Sequence, residues 1–198
     1  PTPWTQTERR QAADTASSGK FQVTAFNPSP GGGTSSSIIF PVTGPGPVND
    51  DFNNAINASP TPFLDSKNSG FATANTGGRL DPVISPGTCT TGAASSGAAN
   101  SIWYKFTPAA NGLIIAATFG SVYDTILTVV TGSPGAFTVV ACNDDLPFQS
   151  GGPSLVSFTA TAGTTYFFMI SAWAGDGGAT AFQLIEIPPP PNDNISSA

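Results

Sequence analysis

The stretch "SIWYKFTPAANGLIIAATFGSVYDTILTVVTGSPGAFTVVAC" (101–142) decides the fold. Four runs rich in β-branched and aromatic residues lie within it, at 101–106, 112–119, 124–131 and 136–142, and each is cut off by Gly, Pro or Asn. Side chains of that kind suit a pleated, half-buried surface, and the punctuating residues suit tight turns. Three more runs follow: "SLVSFTA" (154–160), "TTYFFMISAW" (164–173) and "TAFQLIEI" (180–187). Seven short strands repeating about every ten residues predict an antiparallel β-sandwich, and no long segment carries a helical period. The expected class is all-β.

One run breaks the alternation. In "TYFFMISAW", Tyr166, Phe168 and Ile170 would face one way, and Phe167, Met169 and Trp173 the other. A strand apolar on both faces is either covered by a loop or packed on another domain or subunit.

Upstream, "GKFQVTAFNPSPGGGTSSSIIFPV" (19–42) holds two β-prone runs around a Pro/Gly-rich turn, the pattern of a hairpin. "TGPGPV" (43–48) then reads as a stiff linker. Beyond it, "DDFNNAIN" has room for one or two helical turns capped by an acid. A short echo links distant places: "PVNDDFNNA" at 47–55 returns as "PPNDNISSA" at 190–198. The spacing is that of one domain, so the sequence reads as a window on a tandem array. In that reading an upstream unit covers 1–43, a linker 44–48 and a central domain 49–187; 188–198 is a Pro-rich linker opening a further copy. The start "PTPWTQ", without methionine, fits a processed segment.

Composition excludes several functions. The chain has 198 residues, 39% hydrophobic, so a packed core is available. Charged residues are 9%, against about 25% in a typical domain, which leaves the surface poorly protected against association. Six basic residues and a net charge of −6 cannot form the cationic footprint that nucleic acid demands. No apolar stretch approaches the ~18 residues that cross a membrane as a helix. With no histidine, Ser-His-Asp and Cys-His catalysis are excluded. No pair of carboxyls is set up for glycoside hydrolysis. The adjacent Ser66-Lys67 is all that remains of a nucleophile–base pair, and adjacency alone has almost no specificity. The expectation is a protein that is not an enzyme.

The two cysteines, Cys89 and Cys142, suit a disulfide across a long loop; two unrelated buried thiols are the alternative. Such a bridge would place the chain in an oxidising, extracellular compartment. The acids concentrate at "CNDD" (142–145) and "NDD" (49–51). Calcium takes six to eight oxygens from such groups, and Asp50, Asp51, Asp124, Asn143, Asp144 and Asp145 are the candidate ligands. Neighbouring acids on an extended chain point to opposite sides, so Asp144 and Asp145 would not share one ion symmetrically. The alternative is that they simply make Asx-turns. Asn57 and Asn194 head Asn-x-Ser triplets, the acceptor sequence for sugar attachment, the first hindered by the following Pro60. Trp103 and Trp173 lie in strand runs and belong in a core, which leaves Trp4 as the one free aromatic anchor for a ligand.

Taken together, "WYKFT", "YDTILTV", "CNDD" and "GTTYFFMI" resemble the bacterial pre-peptidase C-terminal domain family across 49–187. That resemblance implies a jelly-roll-like β-sandwich from a secreted or surface protein, and it supports calcium. Residues 19–42 are similar to the last strands of a TIG-type immunoglobulin-like domain. The expected function is a non-catalytic structural module of an extracellular tandem-repeat protein. It would form a stalk, adhesin or filament by strand complementation or head-to-tail packing with copies of itself. The competing expectation is a targeting module of a secreted hydrolase, holding polysaccharide or collagen. An exposed row of aromatic side chains on one sheet face would mark the binder, and its absence the scaffold.

Overall fold

The computed structural model describes residues 46–73, 99–146, 151–173 and 177–189, together with the backbone of four short strands between residues 20 and 41. The chain divides into two compact units, Pro1–Gly44 and Pro45–Ala198. In the first, β1 (Lys20–Val23) pairs antiparallel with β4 (Ile38–Pro41), and β2 (Phe26–Asn27) with β3 (Gly33–Thr34). These are two separate two-stranded sheets.

The second unit is an all-β sandwich. Its strands are β5 (Ile56–Asn57), β6 (Phe63–Asn68), β7 (Ala99–Phe106), β8 (Gly112–Ala117), β9 (Thr125–Ser133), β10 (Ala136–Asn143), β11 (Leu155–Ala160), β12 (Tyr166–Ala172) and β13 (Ala179–Ile187). One sheet runs β10-β9-β12-β7-β5 and the other β11-β8-β13-β6. The pairs nest: β9 with β10, β8 with β11, β7 with β12 and β6 with β13, all antiparallel. A chain doubled back at the β9–β10 hairpin and then rolled into two sheets has this order, and it is the jelly roll. Only β5 departs, lying parallel to β7 at the sheet edge. The hairpin turns at Pro134 and Gly135, and near the end of β9 Gly132 has a φ of +97° that suits glycine and a position where a side-chain carbon would run into the carbonyl oxygen of Ala136.

All seven strand runs read from the sequence are strands. Two strands were not visible there, β5 and β6. In "FLDSKN" the large apolar Leu64 points outward, 72% exposed, while Asp65 and Lys67 take the half-buried positions. That inverts the usual pattern, and the outward-pointing Ser66 and Asn68 hide the strand further. The helical turns expected at "DDFNNAIN" reduce to one 3-10 turn, Phe52–Asn54, and Asp51 precedes it without a side-chain cap hydrogen bond.

Between the sheets lies one large core. Tyr104 stacks on Phe182 at 4.3 Å and 24°, and Phe168 meets the same ring at 5.5 Å. Ile102, Ile114, Leu127, Val129, Ile170 and Leu184 fill the rest. A second, smaller core sits on the outer face of the five-stranded sheet, where Trp103, Val130 and Met169 are buried beneath Phe52 and Ala55. This accounts for the two-faced apolar strand. Tyr166, Phe168 and Ile170 enter the main core, and Phe167 and Met169 are covered by the chain's own 49–55 segment.

Candidate functional site

The echoed "NDDFNNA" forms the lid over that second core. Asn49 is fully buried and behaves like an extra strand residue: its carbonyl accepts the Trp103 N–H at 2.9 Å, and its Nδ2 donates to the Trp103 carbonyl at 3.0 Å. Asp50 Oδ1 accepts both the backbone N–H of Thr73 at 2.6 Å and its hydroxyl at 3.0 Å. Between these tethers and Ala55 the 3-10 turn drops Phe52 onto the sheet. Its ring lies 5.2 Å from Trp103 at 89°, 5.3 Å from Phe137 and 4.6 Å from Phe167. Offset and edge-to-face pairs like these each add about 0.5–1.5 kcal/mol beyond area burial. Asp50 thus acts as a clasp on the lid, and Asp51 stands beside it at the start of the 3-10 turn.

The second acidic stretch lies where β9 begins and β10 ends. Asp124 Oδ1 accepts the Gly152 N–H at 3.1 Å, and Asp145 Oδ1 accepts the Gly151 N–H at 2.6 Å. Two carboxylates thus hold neighbouring amides of one turn. Asn143 spends both ends of its side chain on backbone, donating to the Asp145 carbonyl at 2.8 Å and accepting from Leu155 at 3.0 Å. Asp144 is buried, and its carbonyl accepts the Ser154 hydroxyl at 3.0 Å. Beneath them Thr118, Thr125 and Ser154 form a buried hydroxyl cluster, with Thr118 and Thr125 oxygens 2.6 Å apart. The fold gathers Asp124, Asn143, Asp144 and Asp145 at this corner and leaves Asp50 and Asp51 at the clasp. Among the described residues, no group of three or more His, Cys, Asp or Glu side chains is arranged to hold a metal ion. Asn143 is committed to backbone at both ends of its amide, and Asp124 and Asp145 each hold one backbone N–H with one oxygen.

Ser66 and Lys67 do not form a dyad. They point to opposite faces of β6, and Lys67 Nζ is 2.7 Å from Asp65 Oδ1. Asp65 Oδ2 in turn accepts the Tyr104 hydroxyl at 3.2 Å. Burial, then the negative charge of Asp65, pushes the Tyr104 hydroxyl well above the ordinary tyrosine range. Burial also raises Tyr123, opposed by hydrogen bonds with Ser69 and Thr180. Both tyrosines stay neutral: Tyr104 donates to Asp65 and ties β7 to β6, while Tyr123 accepts the Ser69 hydroxyl and shares a hydrogen bond with Thr180 on β13.

Cys142 is disulfide-bonded, with its sulfur 3.2 Å from the Thr128 hydroxyl; Cys89 lies outside the described residues. Asn57 is exposed on β5, whereas Asn194 and Trp4 also lie outside them. Trp103 is buried as expected of a core residue, and Trp173 is half-buried. No helix among the described residues is long and apolar enough to cross a membrane.

The feature that sequence reasoning missed is the outer face of the four-stranded sheet. The register places Leu113 beside Ile187 and Ile115 beside Ile185, with Leu155 and Leu64 on the flanking strands. All but the half-buried Ile115 are exposed. The signal was present as "LIEI" and "GLII", where apolar residues occupy consecutive positions and so must face both ways. No family model matches the chain, and no curated protein matches it either.

Proposed function

We propose that this chain is a non-catalytic structural module of an extracellular surface protein, extending a stalk, adhesin or filament through contacts with copies of itself. One observation carries the reading. Among the described aromatic residues only Phe119 is exposed, at 39%, while the other exposed large hydrophobic side chains are all aliphatic. A sugar- or collagen-holding module needs rings or polar groups presented outward, since stacking and hydrogen bonding confer its specificity. An aliphatic, weakly charged surface favours protein contacts instead. The β1–β4 pair suits strand complementation, since among the described strands neither of the two pairs with a third.

The acids fit the same role as fasteners of the lid and of the corner loop. Calcium remains a secondary proposal, narrowed to Asp124 and Asp145, with water completing the shell and affinity in the millimolar range of extracellular modules. Negative-stain imaging of purified protein with sedimentation in parallel tests the main reading. Filaments or defined oligomers are expected; particles that stay monomeric at every concentration, with uptake of a polysaccharide, would assign the chain to the targeting class.

A further inference from the structure

We infer that residues 190–198 are a second lid, suited to close the groove on the five-stranded sheet of another copy of this chain. The inference deepens the structural-module reading by naming a contact between copies, and rests on it. The groove is lined by Trp103, Val130, Phe137, Val139, Phe167 and Met169, and the chain's own 49–55 segment fills it. What fits the groove is therefore visible. Asn49 is fully buried and bonded twice to Trp103, the Asp50 carboxylate holds Thr73, and Phe52 and Ala55 make the buried apolar contacts. The other positions do little there. Val48 is 72% exposed, Asn53 and Asn54 are exposed, and the Asp51 side chain caps nothing.

Residues 190–198 lie outside the described residues, but their sequence can be set against this template. Aligned with 47–55 without a gap, "PPNDNISSA" keeps what the groove holds and changes what it does not. Asn192 stands for Asn49, Asp193 for Asp50 and Ala198 for Ala55, and Ile195 supplies an apolar side chain for Phe52. The remaining changes fall at Val48, Asp51, Asn53 and Asn54, where Pro191, Asn194, Ser196 and Ser197 stand instead. A repeat that varies at its outward positions and holds at its buried ones answers to the same packing requirement. A copy's own lid is tethered beside its groove, which gives it an effective concentration of about a millimolar. Ile195 also lacks the ring by which Phe52 meets Trp103, Phe137 and Phe167. The second lid therefore seats on a copy whose own lid has been lifted. It joins the tail of one copy to the groove of the next, a heterologous contact that repeats into rings or filaments.

Sedimentation velocity of the full chain tests this at about 100 micromolar, below the concentration that a tether supplies. Phe52→Asp expels the chain's own lid, because a carboxylate does not enter an apolar groove, and should form oligomers of at least about twice the monomer mass. Adding Ile195→Asp to the same chain should return it to monomer, whereas adding Ser196→Asp, at an outward position, should not. Cooperative melting checks each variant's fold; if Phe52→Asp fails, Phe52→Ala with Asp50→Ala replaces it. A graft gives a second measurement: Asp51→Asn, Phe52→Ile, Asn53→Ser and Asn54→Ser together write the 192–198 sequence into the chain's own lid. That variant should lose less than half the Tm that Phe52→Ala loses. A monomeric Phe52→Asp, oligomers that Ile195→Asp and Ser196→Asp affect equally, or a graft as damaging as Phe52→Ala would each overturn the inference. Wild-type filaments that persist unchanged in Ile195→Asp, beside a monomeric Phe52→Asp, overturn the second lid alone and leave the structural-module reading standing.

Discussion

Replacing Phe52 by alanine is the sharpest probe of how the second unit is held together. The ring is 8% exposed and touches three aromatic side chains from three strands, β7, β10 and β12. Truncating a buried phenylalanine costs about 3–5 kcal/mol. The value here should fall at the lower end, near 3 kcal/mol, because the lid segment can sink partway into the vacated space while Asn49 and Asp50 still tether it. For a unit of this size that is a fall of about 6–12 °C in Tm. Phe52→Leu keeps most of the volume and should cost about 1 kcal/mol. Urea unfolding followed by circular dichroism gives the energies, and tryptophan emission reports the local change. Trp103, fully buried beneath Phe52, should shift to the red in Phe52→Ala, with Trp103→Phe identifying its contribution. A loss below about 1 kcal/mol with unchanged emission would refute the lid, and the two-faced strand would then need another cover.

Further expectations concern the fasteners. Asp50→Ala removes the acceptor of two hydrogen bonds from Thr73 and should cost about 1.5–3 kcal/mol in urea; a loss below 0.5 would show that the clasp is held elsewhere. Intact-mass analysis with an alkylating reagent should find no reactive thiol before reduction, and reduction should cost about 4 kcal/mol by the chain-entropy relation; two thiols modified without reductant would exclude a Cys89–Cys142 bridge. Tyr104 and Tyr123 are raised above their unfolded values, so their neutral forms contribute stability that is complete below about pH 10 and lost as pH rises beyond it. Urea midpoints from pH 7 to 11.5 should therefore fall at the alkaline end, less steeply in Tyr104→Phe; an identical slope in that variant would reject the assignment. Millimolar calcium should raise Tm in wild type and not in an Asp124→Asn, Asp145→Asn double variant, and a wild-type curve indifferent to calcium and to chelator would retire the ion.

The sandwich was legible because seven of its strands carry dense β-branched and aromatic residues between Gly, Pro and Asn. Strand β6 was hidden because its inward positions are Asp65 and Lys67, a pair that satisfies itself at 2.7 Å and so tolerates partial burial. The acids of "NDD" and "CNDD" were visible as a concentration of oxygen donors. Their division into a clasp and a corner loop was not, because it depends on which amides the rolled-up chain brings near: Thr73 for Asp50, and Gly151 and Gly152 for Asp145 and Asp124. Periodicity shows which face a residue takes but not what lies over that face. The two apolar surfaces of "TYFFMISAW" could be read from sequence, and Phe52 as the cover of one of them could not.

The nested strand order also has a mechanical meaning. Strands β6 and β13 lie antiparallel side by side, with Phe63 opposite Leu184, so the chain enters one and leaves the other at the same end of the sandwich. A pull that separates those two ends would load the ladder one rung at a time, as in opening a zip, and such a geometry yields at low force. The segment before β6 is attached differently. Asn49 is bonded to Trp103, β5 runs parallel to β7, and the Ala58 N–H donates to the Lys105 carbonyl at 2.8 Å, all on the opposite sheet. Tension arriving from the residue-45 side meets these bonds and the buried Phe52 before it reaches β6. The lid would then act as a strain relief, and a module under load would fail first at its clasp while the sandwich behind it stayed closed.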